Sequence, residues 1–197
     1  MNLRIAGVDE AGRGPLAGPV VAAAVILRAG RAPDGVKDSK LLDAATRETL
    51  AIVIRRDVLA FGIGWADPAE IDVLNILQAT FLAMRRAILS LPLVPDLLLI
   101  DGNRLPNLSG LGGAMSAQAI IRGDVTQGAI SAASILAKCE RDAYMLRMHA
   151  LYPQYGFASH KGYPTAAHRR ALAQWGPSPL HRRTFAPENY LSKESAA

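Results

Sequence analysis

The mainly apolar run Leu3–Val8 stops at two adjacent acids, Asp9 and Glu10, and a glycine loop, Gly12-Arg13-Gly14, follows at once. Such a run reads as a strand buried on both faces, which belongs inside a sheet covered by helices. Its end delivers two carboxylates beside a loop whose backbone can be approached closely. Oxygen donors of that type suit a hard dication, and nearby backbone amides suit phosphate chemistry. The loop is not a dinucleotide fingerprint, because no helix follows it, and it lacks the Gly-Lys-Ser ending of a P-loop. A plain tight turn between two strands is the structural alternative.

The chain has 197 residues, of which 50% are hydrophobic, enough for one domain with a real core. We expect a single domain over residues 1–197, with a small helical extension from about residue 151. A lone cysteine, Cys139, excludes an internal disulfide framework and points to a reducing compartment. Acids near the N-terminus argue against a secretory signal. The longest apolar run, Pro19–Leu27, has 9 residues, against the ~20 of a membrane helix. The expectation is a cytoplasmic monomer without membrane contact.

Net charge is +5 and the pI about 9.7, which favours a polyanionic partner. No acid lies between Asp142 and Glu188, while that interval holds Arg147, Lys161, Arg169, Arg170, Arg182, Arg183 and the histidines. Tyr144, Tyr152, Tyr155, Phe157, Tyr163, Trp175 and Phe185 are interleaved with them. Cations among aromatics suit phosphate and sugar contacts. A solvated basic face around core aromatics is the alternative.

Further along, strands are expected at Leu3–Val8, Val20–Leu27, Val58–Trp65, Leu97–Asp101 and Ala119–Asp124. Helices are expected at Asp43–Arg55, from Asp67 with a break near Asn75 and on to Leu91, at Ser131–Ala150, and from a Thr165 cap through Trp175. Asp67-Pro68-Ala69-Glu70 carries the cap, first-turn proline and third-position glutamate of a helix start. Arg28–Lys40 reads as a loop, and the tail from Pro187 as loosely ordered. The order gives an α/β protein with a mixed five-stranded sheet flanked by helices.

Asp9, Asp101 and Asp124 each follow a short apolar run, and Glu10 adjoins the first. Strand ends on one sheet edge can bring such acids together. Clustered carboxylates raise one another's pKa unless a cation neutralises them, so a cluster implies bound metal, and oxygen-only donors favour Mg²⁺ or Mn²⁺. An aspartate at a strand end also serves as a turn former or helix cap. Four unevenly spaced histidines without a neighbouring acid make a poor zinc site, and Cys139 reads as a buried helix residue.

Taken together these residues resemble ribonuclease HII, over nearly the whole chain. The resemblance rests on Gly7-Val8-Asp9-Glu10-Ala11-Gly12-Arg13-Gly14-Pro15 through Ala22, Asp38-Ser39-Lys40, Glu70-Ile71-Asp72 with Asn75-Ile76, and Ile100-Asp101-Gly102-Asn103. It continues with Gly123-Asp124, Ser131 to Lys138, Arg141-Asp142, His160-Lys161-Gly162-Tyr163 and His181-Arg182. It implies a ribonuclease H-like fold with a helical C-terminal part. It also implies cleavage of RNA paired with DNA, including single ribonucleotides embedded in duplex DNA, with Mg²⁺ or Mn²⁺, leaving 5′-phosphate and 3′-hydroxyl ends. Asp9, Glu10, Asp101 and Asp124 correspond to the metal-binding catalytic acids. Gly12-Arg13-Gly14 corresponds to the sensor of the ribose 2′-hydroxyl, and Tyr163 to the residue stacking on the following deoxyribose. Ser39, Lys40, Ser134, Lys138 and Lys161 are candidate phosphate contacts. Lys138 could instead pair with Asp142 four residues on.

Two other readings stay open on sequence. One is a nucleic-acid-binding module without catalysis, which an acid cluster opposes because carboxylates repel phosphates. The other is a different ribonuclease H-like nuclease; exonucleases of that fold begin with Asp and Glu two apart, whereas Asp9 and Glu10 are adjacent.

Overall fold

A computed structural model of the protein describes residues 3–28, 31–36, 43–112 and 116–185. Strands β1 (Ile5–Ala11), β2 (Val20–Ile26), β3 (Ala60–Ala66), β4 (Leu97–Asp101) and β5 (Ser116–Ile120) form one sheet in the order β3-β2-β1-β4-β5. β1 and β3 run antiparallel to β2, while β4 pairs parallel with β1 and β5 parallel with β4. The helices are α1 (Ala44–Asp57), α2 (Pro68–Leu74), α3 (Ile76–Leu89), α4 (Gly123–Thr126), α5 (Gly128–Leu151), α6 (Phe157–His160) and α7 (Ala166–Trp175), with a 3-10 turn at Pro153–Tyr155.

The sheet is covered on both faces, and the pleat explains why β2 is apolar throughout. Ala22, Ala24 and Ile26 pack with Ala6 and Val8 against Ala83, Met84 and Ala87 of α3. Ala23 and Val25 face the other way, onto Ala132, Ala133 and Leu136 of α5 and Leu50 and Ile54 of α1. Small residues let α5 come very close. A Cβ on Gly7 would sit 2.2 Å from the Ala129 carbonyl carbon. That contact seats the start of α5 directly on β1. A third cluster gathers Leu16, Ala17, Met145, Tyr155, Phe157, Leu172 and Leu180, joining the far end of the glycine loop to the C-terminal helices.

Helix starts follow their sequence signals. The Asp43 side chain accepts from the Thr46 N–H and caps α1. Asp67 and Glu70 form a reciprocal capping box on α2. Asn75, at φ 67°, closes α2 and caps α3 through the N–H groups of Leu77 and Gln78.

Two expected boundaries are corrected. Asp9 and Glu10 lie inside β1, which runs on to Ala11, rather than past its end. The strand expected over Ala119–Asp124 ends at Ile120. Ile121 is 72% exposed, and Arg122 is left-handed (φ 55°, ψ 38°), which lifts the chain out of the sheet. Asp124 therefore sits in the first turn of α4 and not at a strand end. The expected looseness from Pro187, and the segment Asp38-Ser39-Lys40, lie outside the described residues.

Candidate active site

Parallel pairing of β1 with β4 in the register Val8↔Ile100 brings Asp9, inside β1, beside Asp101 at the end of β4. Behind Asp101, the backbone of Gly123 approaches so closely that a Cβ there would stand 3.3 Å from Asp101 Oδ1. The Asp124 N–H donates to the same oxygen at 3.3 Å. The Ser131 hydroxyl of α5 donates to the Asp124 carbonyl at 2.5 Å and so ties α4 to α5. Asp9 and Asp124 are both buried.

The electrostatics follow from this convergence. Burial, then the charge of Glu10, then that of Asp101 push the Asp9 carboxyl well above the usual carboxylate range. The Ser134 hydroxyl and the Glu10 N–H, the latter at 2.7 Å, hydrogen-bond Asp9 and only partly offset that. Burial also raises Glu10, against the opposing pull of Arg13, whose guanidinium lies 3.3 Å from Glu10 Oε1, and with a further push from Asp101. The donor set is carboxylate oxygen throughout, which suits a hard dication, and bound positive charge would relieve the strain on Asp9 and Glu10. Among the described residues, no three His, Cys, Asp or Glu side chains stand ready-made to hold a metal ion.

Beside the acids lies a cleft of about 360 Å³, lined by Glu10, Gly12, Arg13, Gly14, Ser134, Lys138 and Tyr163, with Arg47 at its edge. Gly12 is left-handed (φ 97°), and an added Cβ would stand 2.1 Å from Arg141 Nε, so the loop rests directly on a buried guanidinium. Gly14 faces Tyr163, a cleft-lining residue that is 40% exposed. A roomier cavity of about 730 Å³, between Leu3, Pro33 and Gly128, holds none of these groups.

Of the sequence-predicted residues, Asp9, Glu10 and Asp101 lie close enough to couple electrostatically, Asp124 meets Asp101 through its backbone N–H, and Gly12, Arg13, Gly14, Ser134, Lys138 and Tyr163 line the neighbouring cleft. Ser134 serves Asp9 directly. Lys138 Nζ is 2.6 Å from Asp142 Oδ1, the helix pair foreseen as its alternative, and 5.9 Å from the Tyr163 ring centre. Lys161 turns its ammonium to the Ala158 carbonyl and lines an adjoining hollow with Lys138 and Tyr163. Ser39 and Lys40 lie outside the described residues. His160 is held by backbone: it receives the Gly162 N–H on Nδ1 at 3.2 Å and meets the Tyr155 carbonyl through Nε2 at 2.8 Å. Cys139 is half-buried on α5, its thiol pushed up to about 11 by burial.

Sequence reasoning missed Arg141 as a part of the site. It is fully buried and donates to the carbonyls of Pro19, Lys161 and Ala17, each at 3.0 Å. The Arg141-Asp142 dipeptide was its only signal. Asp72, singled out with Glu70, has a structural task as well: its carboxylate accepts the N–H groups of Arg183 and Thr184 at 2.9 and 3.0 Å.

The described residues contain no helix long and apolar enough to cross a membrane. Residues 6–188 match the family model described as Ribonuclease HII. The Ribonuclease HII of Chromobacterium violaceum is 56% identical over 187 residues, covering 95% of this chain and 92% of that one. Ribonuclease H2 from Pyrococcus horikoshii OT3 superposes with a TM-score of 0.80 at 27% identity, covering 95% of this chain and 97% of that chain. Bst-RNase HIII, solved in complex with Mn²⁺, gives a TM-score of 0.77 over 97% of this chain and 70% of that one; its 21% identity bears on the fold alone.

Proposed function

The chain belongs to the ribonuclease HII family, whose members are ribonuclease H endonucleases, and from that premise we propose that it hydrolyses the RNA strand of RNA–DNA hybrids and nicks duplex DNA at single embedded ribonucleotides. The observation that carries this reading is the burial of Asp9 and its charge coupling to Glu10 and Asp101, with Glu10 lining a cleft of backbone and aromatic groups.

Asp9, Glu10, Asp101 and Asp124 would hold Mg²⁺ or Mn²⁺. Such ions supply positive charge at the scissile phosphate and lower the pKa of an attacking water. The chain's own groups do the rest. Ser134 and the Glu10 N–H fix the Asp9 carboxylate in one orientation. The Gly12–Gly14 backbone is placed to meet a ribose 2′-hydroxyl, the one group that separates RNA from DNA at a given sugar. The Tyr163 ring packs against the next sugar, where a deoxyribose leaves room for it. Lys138 and Lys161, with Ser39 and Lys40, contact phosphates; Lys138 would exchange Asp142 for a phosphate oxygen. Strand scission leaves a 5′-phosphate and a 3′-hydroxyl, so the 2′-hydroxyl is read without acting as nucleophile. The net charge of +5 suits a hybrid or ribonucleotide-bearing duplex as partner.

Cleavage of a duplex carrying one ribonucleotide, with and without chelator, tests this. Asp9→Asn and Asp101→Asn should abolish metal-dependent nicking and keep most of the duplex binding. Undiminished turnover by either variant would remove that acid from the mechanism. Binding by the unaltered protein without any metal-dependent nick would favour a non-catalytic module.

A further inference from the structure

Beyond α7 the chain runs back across the molecule as a strap, residues 178–185. The Gly18 N–H donates to the Leu180 carbonyl at 2.8 Å and the Arg182 N–H to the Leu16 carbonyl at 2.9 Å. Ala17 and His181 pair as an isolated bridge. Asp72 on α2 fixes the far end of the strap through Arg183 and Thr184.

Arg182 is fully buried beneath the glycine loop. Its Nη2 donates to the carbonyls of Gly12 and Gly18 at 2.6 and 2.8 Å, its Nη1 to that of Arg13 at 3.0 Å, and its Nε to Gly18 at 2.9 Å. In a trans peptide the C=O and the following N–H point in opposite directions. Drawing the Gly12 and Arg13 oxygens inward therefore turns the N–H groups of Arg13 and Gly14 outward. Among the described residues no acceptor meets either of them.

His181 acts on the opposite wall of the cleft. Its Nδ1 accepts the Ser178 N–H at 2.9 Å, so its proton is on Nε2, 3.0 Å from His168 Nε2. His168 Nδ1 lies 2.9 Å from the Tyr163 carbonyl, which can only accept. The bonds thus run in one sense, from the Ser178 N–H through two neutral imidazoles to the main chain of Tyr163. Both rings are buried. On its other side the Tyr163 N–H donates to the His160 carbonyl at 2.9 Å.

We propose that His181-Arg182 is a positioning dipeptide: Arg182 aims the Arg13 and Gly14 amides, and His181, through His168, holds Tyr163. One short segment then sets the separation between the groups that read the ribose and the sugar after it. This rests on the sugar-reading roles proposed above.

The two halves make different forecasts, which general loosening of the fold would not. The glycine loop serves every ribonucleotide, so Arg182→Lys should lower kcat/KM about 10-fold on single-ribonucleotide duplex and continuous hybrid alike. Tyr163 serves the RNA-to-DNA junction, so His181→Phe should lower the single-ribonucleotide value about 10-fold more than the hybrid value. Tyr163→Ala is assayed in parallel. If Tyr163→Ala shifts that ratio and His181→Phe does not, the positioning claim falls while the site assignment stands. If Tyr163→Ala leaves the ratio unmoved, the stacking role falls and the His181 claim with it. Losses for both strap variants that merely track their thermal unfolding midpoints would also overturn the proposal. A measurement on the unaltered protein needs no variant to fold: nitrogen NMR of the imidazoles should show spin coupling between the Nε2 atoms of His168 and His181, both rings neutral. Uncoupled or charged rings would refute the relay.

Discussion

At Gly12 the backbone is left-handed, and a methyl group would strike Arg141 Nε at 2.1 Å and the Pro19 carbonyl at 2.8 Å. Two residues on, Gly14 has no such backbone, and its methyl would meet only Tyr163 Cε1 at 3.6 Å, an ordinary contact. Gly12→Ala should therefore lose about 1–3 kcal/mol from backbone strain alone, plus the cost of displacing a buried guanidinium. Gly14→Ala should stay within about 0.5 kcal/mol of the parent yet cleave poorly, because the slot between loop and ring narrows. Denaturant midpoints and turnover measured on both variants check this. A Gly14→Ala enzyme with full turnover would mean that substrate does not enter there. At this scale the nearness of three acids was legible, because Asp9 and Glu10 are neighbours and Asp101 ends an apolar run beside them. Arg141 and Arg182 were not. Each stood only as half of a quoted dipeptide, because a buried cation that also serves carbonyls more than 120 residues away shows nothing of that role locally.

Elements were legible where period and caps agreed, as in α1, α2 and β4, and blurred where a turn hid inside an apolar stretch. Ala119-Ile120-Ile121 reads as strand, but one left-handed residue, Arg122, ends it and sends Asp124 into a helical turn. That turn still reaches the site, because Gly123 leaves space for Asp101 and Ser131 ties α4 to α5. The start of α5 is set in turn by Gly7. Gly7→Ala would force the Ala129–Ile130 backbone away from β1 and carry Ser131 and Ser134 with it. We expect overpacking of about 1–3 kcal/mol or more, together with loss of the Ser134 contact to Asp9. Serine at position 134 can be probed separately. Ser134→Ala keeps the packing, so it should reduce turnover several-fold with little change in the unfolding midpoint. A Ser134→Ala protein as unstable as Gly7→Ala would contradict that division of roles.

The whole molecule carries two sets of buried groups whose pH responses oppose each other. His168 and His181 are pushed down by burial to about 4 and about 3, from an ordinary value of 6.5. Below 6.5 the unfolded chain binds protons that the folded chain refuses, so stability falls as pH drops from 6.5, down to about 4 for His168 and about 3 for His181. Asp9 and Glu10 are raised, with the opposite sign. Above the ordinary carboxylate range the folded chain holds protons that the unfolded chain has released, so stability falls as pH climbs through that interval. Metal-free protein is therefore squeezed from both sides, and a dication relieves only the acid side. Saturating Mg²⁺ or Mn²⁺, at about 100 times its Kd, should add about 2.7 kcal/mol. For a chain of this size that is several degrees, at about 2–4 °C per kcal/mol. The increment should be larger near pH 8 than near pH 5, where protons compete for the same oxygens. Asp9→Asn should raise the metal-free Tm near pH 8, by removing a buried charge, and shrink the metal increment there. Thermal melts of both proteins at the two pH values, with metal and with chelator, decide the matter. An increment independent of pH, or one that Asp9→Asn leaves whole, would place the ion away from Asp9 and separate the acid cluster from the metal chemistry.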